Sequence, residues 1–292
     1  MIGPPGGGKT MLARRFPAIL PPMTREEILE TTRIYSVANL LSTDRPLILN
    51  RPFRSPHKNA SSASIIGGGR VPRPGEISLA LHGVLFLDEL PEFNRDVLEA
   101  LRQPLEDRTV TVARAQATYT YPASFCLIAS MNPCQCGRLG SDLECQCTPL
   151  QVQRYLNRIS GPLLDRMDIH LEVPRIQFED LTAGSEGQNT AMMREVIVKA
   201  RTMQAKRFKR QPGMLNASMG PVEIKQHCKL NQEAETMLKM AFKRLQMSAR
   251  AYDRVLKVAR TIADLEQSEM IQTDHLAEAI HYRSLDRKYW HH

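Results

Sequence analysis

No apolar run in the 292-residue sequence approaches the roughly eighteen residues that a bilayer-spanning helix needs, which excludes a helical membrane protein. No signal peptide opens it, so the cytoplasm is the expected location. No internal repeat is evident. Global disorder is set aside by a hydrophobic content of 42%, enough for a real core, and the length accommodates two domains. The first two thirds also lack net charge: residues 1–190 hold 20 Lys and Arg against 20 Asp and Glu. Residues 191–292, with 19 against 11, therefore carry the whole +8. A basic C-terminal third points to a polyanionic partner, nucleic acid first, with a solvated helical surface as the plainer alternative. The chain is also short of a strand at its start. Only Met1-Ile2 precede a motif that normally follows a buried strand. The sequence is thus expected to be a piece of a longer protein, with its first core strand truncated.

That motif is Gly3-Pro4-Pro5-Gly6-Gly7-Gly8-Lys9-Thr10, which fits G-x-x-x-x-G-K-[ST], the phosphate-binding P-loop. Backbone N–H groups must converge on phosphate oxygens, so Gly6, Gly7 and Gly8 keep side chains away. Lys9 brings a point charge to the β- and γ-phosphates, and the Thr10 hydroxyl is a ligand for Mg²⁺. From Met11 to Phe16 the chain reads as a helix whose positive end faces the anion. The run Gly83-Val84-Leu85-Phe86-Leu87-Asp88-Glu89 reads as a buried parallel strand with two carboxylates at its C-terminal edge, where ligands bind in open α/β sheets. Asp88 is placed to join the Mg²⁺ shell and Glu89 to polarise the attacking water. A second buried strand, Phe125 to Ser130, ends at Asn132, whose amide is suited to orienting that water. ATP with Mg²⁺ is the implied ligand pair, held by residues 3–11 and Asp88.

Thr24 with Glu27 three residues later reads as a capping box opening a helix from Arg25 to about Val37. Ser61 to Gly75 is small-residue loop or an inserted element. Thr109–Ala113 and Thr118–Tyr121 flank Arg114 and read as a β-hairpin. Cys134-x-Cys136 and Cys145-x-Cys147 sit in a Gly- and Pro-containing loop. Four clustered cysteines in a cytosolic chain favour Zn²⁺ over disulfides, with free thiols as the alternative because C-x-C is tighter than the usual spacing. Cys126 and Cys228 lie in apolar patterns and read as core. A strand is expected from Ile169 to Val173, and a polar linker over 177–190. Helices follow at about 190–210, 220–229, 231–246, 248–267 and 273–284. Ala234, Met237, Leu238, Ala241 and Leu245 form one apolar stripe, and Val255, Leu256, Ala259, Ile262 and Ala263 another. Arg250, Arg254 and Lys257 lie on a different face.

P-loop, Asp-Glu strand, strand-end Asn and basic helical appendage, in this order, resemble an AAA+ ATPase. Pro52-Phe53-Arg54-Ser55-Pro56-His57, Pro74-Gly75-Glu76-Ile77-Ser78-Leu79-Ala80, Gly161-Pro162-Leu163-Leu164-Asp165-Arg166 and Ser248-Ala249-Arg250-Ala251-Tyr252 are similar to the magnesium-chelatase-like members. The cysteine pairs point to their ComM/YifB branch. The resemblance covers nearly the whole chain. It implies an α/β core over 1–176, built on a parallel sheet, and an all-α lid over 191–292. Family members carry a Lon-protease-like domain ahead of the P-loop. By the resemblance Asn132 is sensor 1, Arg166 an arginine finger for a neighbouring subunit, and Arg250 sensor 2, with Arg254 its rival. The plainer reading of Arg166 is an ion pair with Asp165 or Asp168. The resemblance further implies that the hairpin at Arg114 lines a hexamer's pore and that Ser61–Gly75 borders the helix-2 insert. Arg114, Arg254 and Lys257 become candidate DNA contacts. The implied activity is that of an ATP-driven hexameric DNA motor or helicase in branch migration, during natural transformation or recombination. A chelatase-type subunit driving metal insertion into a porphyrin is the alternative, as is a nucleotide-inactive fragment.

Overall fold

The computed structural model describes residues 1–69, 72–114, 117–140, 144–175, 187, 189–283, 285 and 289–290, with only the backbone described at 114 and 117. The chain divides into two compact units, Met1–Arg166 with Glu172–Ser185 and Met167–Leu171 with Glu186–His292. Most of the expected linker, 177–190, lies outside the described residues.

In the first unit the described strands are β1 Phe53–Arg54, β2 Gly67–Gly68, β3 Arg73–Pro74, β4 Val84–Leu87, β5 Thr109–Arg114, β6 Ala117–Pro122 and β7 Cys126–Ala129. A parallel sheet runs in the order β1-β4-β7, with Val84 opposite both Phe53 and Cys126. All four β4 residues are buried, as a strand with neighbours on both edges and layers on both faces requires. Beyond β7 the sheet continues through single bridges: Ile2 pairs in parallel with Met131 and with Glu172. Met131 N donates to Met1 O at 3.0 Å, and Val173 N donates to Ile2 O at 2.7 Å. Met1 and Ile2 thus lie between Met131 and Glu172 in the sheet and deliver the P-loop to its carboxyl edge.

Two expectations are corrected here. Residues 169–173 form no continuous strand. Only Glu172 bridges, and His170 N instead donates to Tyr282 O at 2.9 Å within the second unit. Cys126 is exposed rather than core. Among the described residues, the outer edge of β7 is met by Met1–Gly3 only at Ala129 and Met131, so its first residue is left uncovered.

The capping box forms as read. Glu27 N donates to Thr24 Oγ1 at 3.2 Å and Thr24 N donates to Glu27 Oε2 at 2.9 Å, opening the helix Arg25–Val37. Arg54 at the end of β1 forks onto Glu76 at 2.6 and 2.7 Å, tying β1 to the short helix Glu76–Leu79. β2 and β3 make a small antiparallel pair inside the Ser61–Gly75 segment. The hairpin β5–β6 is antiparallel throughout, from Thr109 opposite Pro122 to Arg114 opposite Ala117. Val110, Val112 and Tyr121 bury its inner face.

The second unit is helical: Thr190–Arg207, Pro221–His227, Gln232–Arg244, Ala249–Leu265 and Thr273–His281. Ser248 Oγ caps the fourth by accepting from Ala251 N at 3.1 Å. Both predicted stripes face one core, where Ala234, Leu238, Val255, Leu256, Ala259 and Ala263 meet Leu276 and the buried Cys228. Among the described residues no helix is long and apolar enough to cross a membrane.

Candidate functional site

The helix Lys9–Ile19 begins at Gly8, which is left-handed at φ 77°, two residues after Gly6 at φ 80°. Those conformations favour glycine and turn the loop's N–H groups inward. The loop borders a cleft of about 440 Å³ lined by residues 5–11, 88, 89 and 130–132. Lys9 is only 8% exposed, and its Nζ donates to Gly3 O at 2.7 Å, Pro4 O at 2.8 Å and Asn132 Oδ1 at 3.3 Å. Burial lowers the Lys9 pKa against an opposing pull from Asp88. Thr10 Oγ1 donates to Asp88 Oδ2 at 2.9 Å, and Ser130 Oγ donates to Asp88 Oδ1. β4 and β7 therefore bring their ends onto the P-loop. An ammonium, a hydroxyl and a carboxylate converge there within a few bonds of one another. That donor set fits a triphosphate with Mg²⁺: Lys9 and the loop amides for the phosphates, Thr10 and Asp88 for the ion. Met11 lies at the cleft's rim.

Glu89 stands beside Asp88 in a left-handed conformation, φ 55°, and its Oε2 is 2.5 Å from Lys58 Nζ. Hydrogen bonding to Glu89 raises the Lys58 pKa. Neither Lys58 nor Ser130 was expected from the sequence. Ser130 carried the faint signal of a hydroxyl at a strand end, whereas Lys58 carried none.

Arg166 is 8% exposed. Its Nη1 donates to Pro162 O at 2.8 Å and its Nη2 pairs with Glu106, on the helix Arg102–Asp107 that leads into β5. The Arg166 Nε has no hydrogen-bond partner among the described residues. Asp168 pairs instead with Arg254, Oδ1 to Nη1 at 2.5 Å, inside the second unit. Lys257 Nζ donates to Ala217 O at 3.4 Å. Arg250 is exposed in the first turn of Ala249–Leu265. The Arg114 side chain lies outside the described parts of the chain.

The four loop cysteines come together. Their sulfurs lie within 4.8 Å of one another, with Cys134–Cys136 at 3.4 Å, Cys136–Cys145 at 3.6 Å and Cys134–Cys145 at 3.7 Å. A tetrahedral thiolate site with bonds of ~2.3 Å has edges of about 3.8 Å, so the spacing fits zinc. None of the four is in a disulfide. Backbone amides of Arg138 and Gln146 hold the Cys136 thiol down at about 6. Against a pull from the Cys147 amide, burial and the Cys136 and Cys134 sulfurs push Cys145 up to about 11.

A P-loop within a parallel sheet, with an acidic strand end and a polar strand end facing it, defines a core of the AAA+ P-loop type. The chain belongs to the magnesium chelatase family. Residues 1–181 match the model for magnesium chelatase, subunit ChlI, and residues 187–283 match that for the ChlI C-terminal region. It is 47% identical over 288 residues to "Competence protein ComM" of Haemophilus influenzae, across 98% of this chain and 55% of that protein. It is 48% identical over 288 residues to the uncharacterized protein YifB of Escherichia coli, across 98% and 56%. With the uncharacterized protein Rv2897c of Mycobacterium tuberculosis it shares 40% over 284 residues, 97% of this chain and 56% of that one. The chain thus spans about half the length of the curated relatives it matches. As a class, AAA+ members of such families use ATP with Mg²⁺.

Proposed function

We propose that the intact protein is a cytoplasmic ATPase that assembles as a hexamer and moves along or remodels DNA, in branch migration during natural transformation or recombination. The observation that carries the ATPase reading is the Thr10–Asp88 hydrogen bond of 2.9 Å beside the buried Lys9. Residues 1–176 form the ATPase core and 191–292 the lid. In this reading Thr10 and Asp88 hold Mg²⁺, which supplies charge to neutralise phosphate oxygens. Glu89 takes a proton from water once Lys58 lets it go, and Asn132 orients that water. Arg166 serves the neighbouring subunit's site and Arg250 senses the nucleotide. The excess of basic residues after 190 supports DNA as partner, with Arg114, Arg254 and Lys257 as contacts, and the name of the Haemophilus relative supports a setting in competence. The sulfur spacing supports one structural Zn²⁺ on Cys134, Cys136, Cys145 and Cys147.

Glu89→Gln tests the catalytic assignment, since it removes the base and leaves the phosphate cradle. ATP should bind as before while turnover falls by roughly 10²–10⁴-fold. Turnover at the parental rate would refute the assignment. The family description itself favours a second reading, a chelatase-type subunit acting through a protein partner on a porphyrin. That reading requires an ATPase indifferent to every form of DNA, whereas the motor reading requires salt-dependent stimulation.

A further inference from the structure

The loop that closes the sulfur cluster has a second face, and it lies on the phosphate loop. Gly137, between the two cysteine pairs, has φ 77°, and its N donates to Cys134 O at 3.0 Å. A methyl group on its α-carbon would stand 2.8 Å from Pro5 Cδ, 3.3 Å from Pro5 Cγ and 3.7 Å from Asn132 Cγ. Leu139 N donates to Cys134 Sγ at 3.4 Å, and Cys134 is fully buried. Asn132 precedes Cys134 by two residues, and its side chain accepts from the Lys9 ammonium. One tight turn therefore bonds a cluster sulfur on one side and, on the other, lies so near the P-loop proline and the strand-end amide that no side chain fits between them.

We propose that the four-cysteine cluster, with a thiophilic divalent cation bound, is a strut of the nucleotide site, so that metal occupancy sets nucleotide affinity. The inference rests on the zinc reading above and goes beyond it. The physical reason is the cost of holding four sulfurs at these distances. Bare thiolates repel one another, and neutral thiols attract only weakly, so without the cation nothing strong opposes the loop's gain in conformational freedom. A loosened turn releases Pro5 and Asn132, which are then positioned by the chain alone. Asn132 and Gly137 act here as positioning residues. Their contacts set where the phosphate loop rests before any chemistry.

Linkage makes the idea testable from both ends. If metal strengthens nucleotide binding by some factor, nucleotide must strengthen metal binding by the same factor. The measurement uses the full-length protein. Zn²⁺ content comes from elemental analysis, and nucleotide affinity from the anisotropy of a fluorescent ATP analogue before chelation, after it, and after Zn²⁺ add-back. About one Zn²⁺ per chain is expected, with affinity falling on the order of tenfold on chelation and returning on add-back. Saturating nucleotide should raise the chelator concentration needed to strip the metal by the same factor. Because the stripped protein could simply unfold, Gly137→Ala supplies the second arm. It keeps all four sulfurs, crowds Pro5 and strains a left-handed position, so metal content is measured first, and protein that still holds about one Zn²⁺ per chain should show reduced nucleotide affinity. Metal present, with affinity unaltered by chelation or by Gly137→Ala, would overturn the strut and leave the zinc reading standing. Protein purified without chelator that carries no metal would overturn both.

Discussion

The charge cluster at Asp264 invites a stability experiment whose size follows from its geometry. Asp264 is fully buried near the end of Ala249–Leu265 and accepts from four donors. Arg207 forks onto it at 2.7 and 2.5 Å, Arg260 Nε reaches it at 3.1 Å, and Asn216 Nδ2 at 2.7 Å. Asp264→Ala removes the carboxylate bonded to both guanidinium groups in that cluster and leaves two like charges facing each other. Breaking a buried pair from one side costs about 3–5 kcal/mol. The low end applies here, because Arg260 keeps Glu269 O at 2.8 Å and Arg207 keeps Asn216 Oδ1 at 2.8 Å. A domain of about a hundred residues loses ~4–8 °C of Tm per kcal/mol, so a loss of about 12–24 °C in the second unit is expected by calorimetry. Glu235→Ala is the control. It breaks an exposed i,i+4 pair with Lys239 at 2.7 Å, which is worth about 0.3–0.5 kcal/mol. If Asp264→Ala shifts Tm no more than Glu235→Ala does, the cluster does not hold the helices together and the reasoning fails.

Two further outcomes probe the proposed ring. Arg166→Ala in the intact protein should bind nucleotide and fail to turn it over, while mixing with Lys9→Ala subunits restores part of the activity. Mixed rings without recovery at any ratio would count against a site shared between subunits. Arg114→Ala should leave basal ATPase activity nearly untouched, reduce DNA stimulation, and flatten the salt dependence of DNA binding by about one phosphate contact per engaged subunit. An ATPase that ignores DNA in the unmutated protein would remove the motor reading and the role of Arg114 with it.

The residues most legible in the sequence are those fixed by local pattern. Glycine spacing marks residues 3–10, an apolar run ending in two acids marks Asp88 and Glu89, and a 3.6-residue stripe marks the helices of the second unit. Their partners are another matter. Lys58 and Ser130 bond carboxylates 31 and 42 positions away, and nothing in their own neighbourhoods points there. Their meeting depends on β1, β4 and β7 being adjacent in that order, which periodicity does not encode. The same holds for Asp264, which reads locally as one polar residue on a helix and becomes a buried hub only when Thr190–Arg207 packs beside it. The strand expected at 169–173 failed for the converse reason. Its apolar residues fit a strand, but the backbone at His170 is taken by Tyr282, more than a hundred positions on.

The acid read from its motif as the group that polarises water and the arginine assigned by resemblance as the finger are both engaged within this chain. Glu89 is held by Lys58, and Arg166 by Glu106. The two contacts differ in kind. Lys58 and Glu89 are 41% and 49% exposed in their side chains, so water competes for both partners and the pair is readily exchanged. The Arg166 side chain is 7% exposed against 44% for Glu106, so its guanidinium would have to leave a largely enclosed position to reach another subunit. Turning Glu89 toward a water molecule is therefore a local side-chain event. Presenting Arg166 demands movement of the helix Arg102–Asp107 or of the turn after Gly161–Leu164. That first helix ends one residue before β5, so the partner of Arg166 and the hairpin are consecutive elements of the chain.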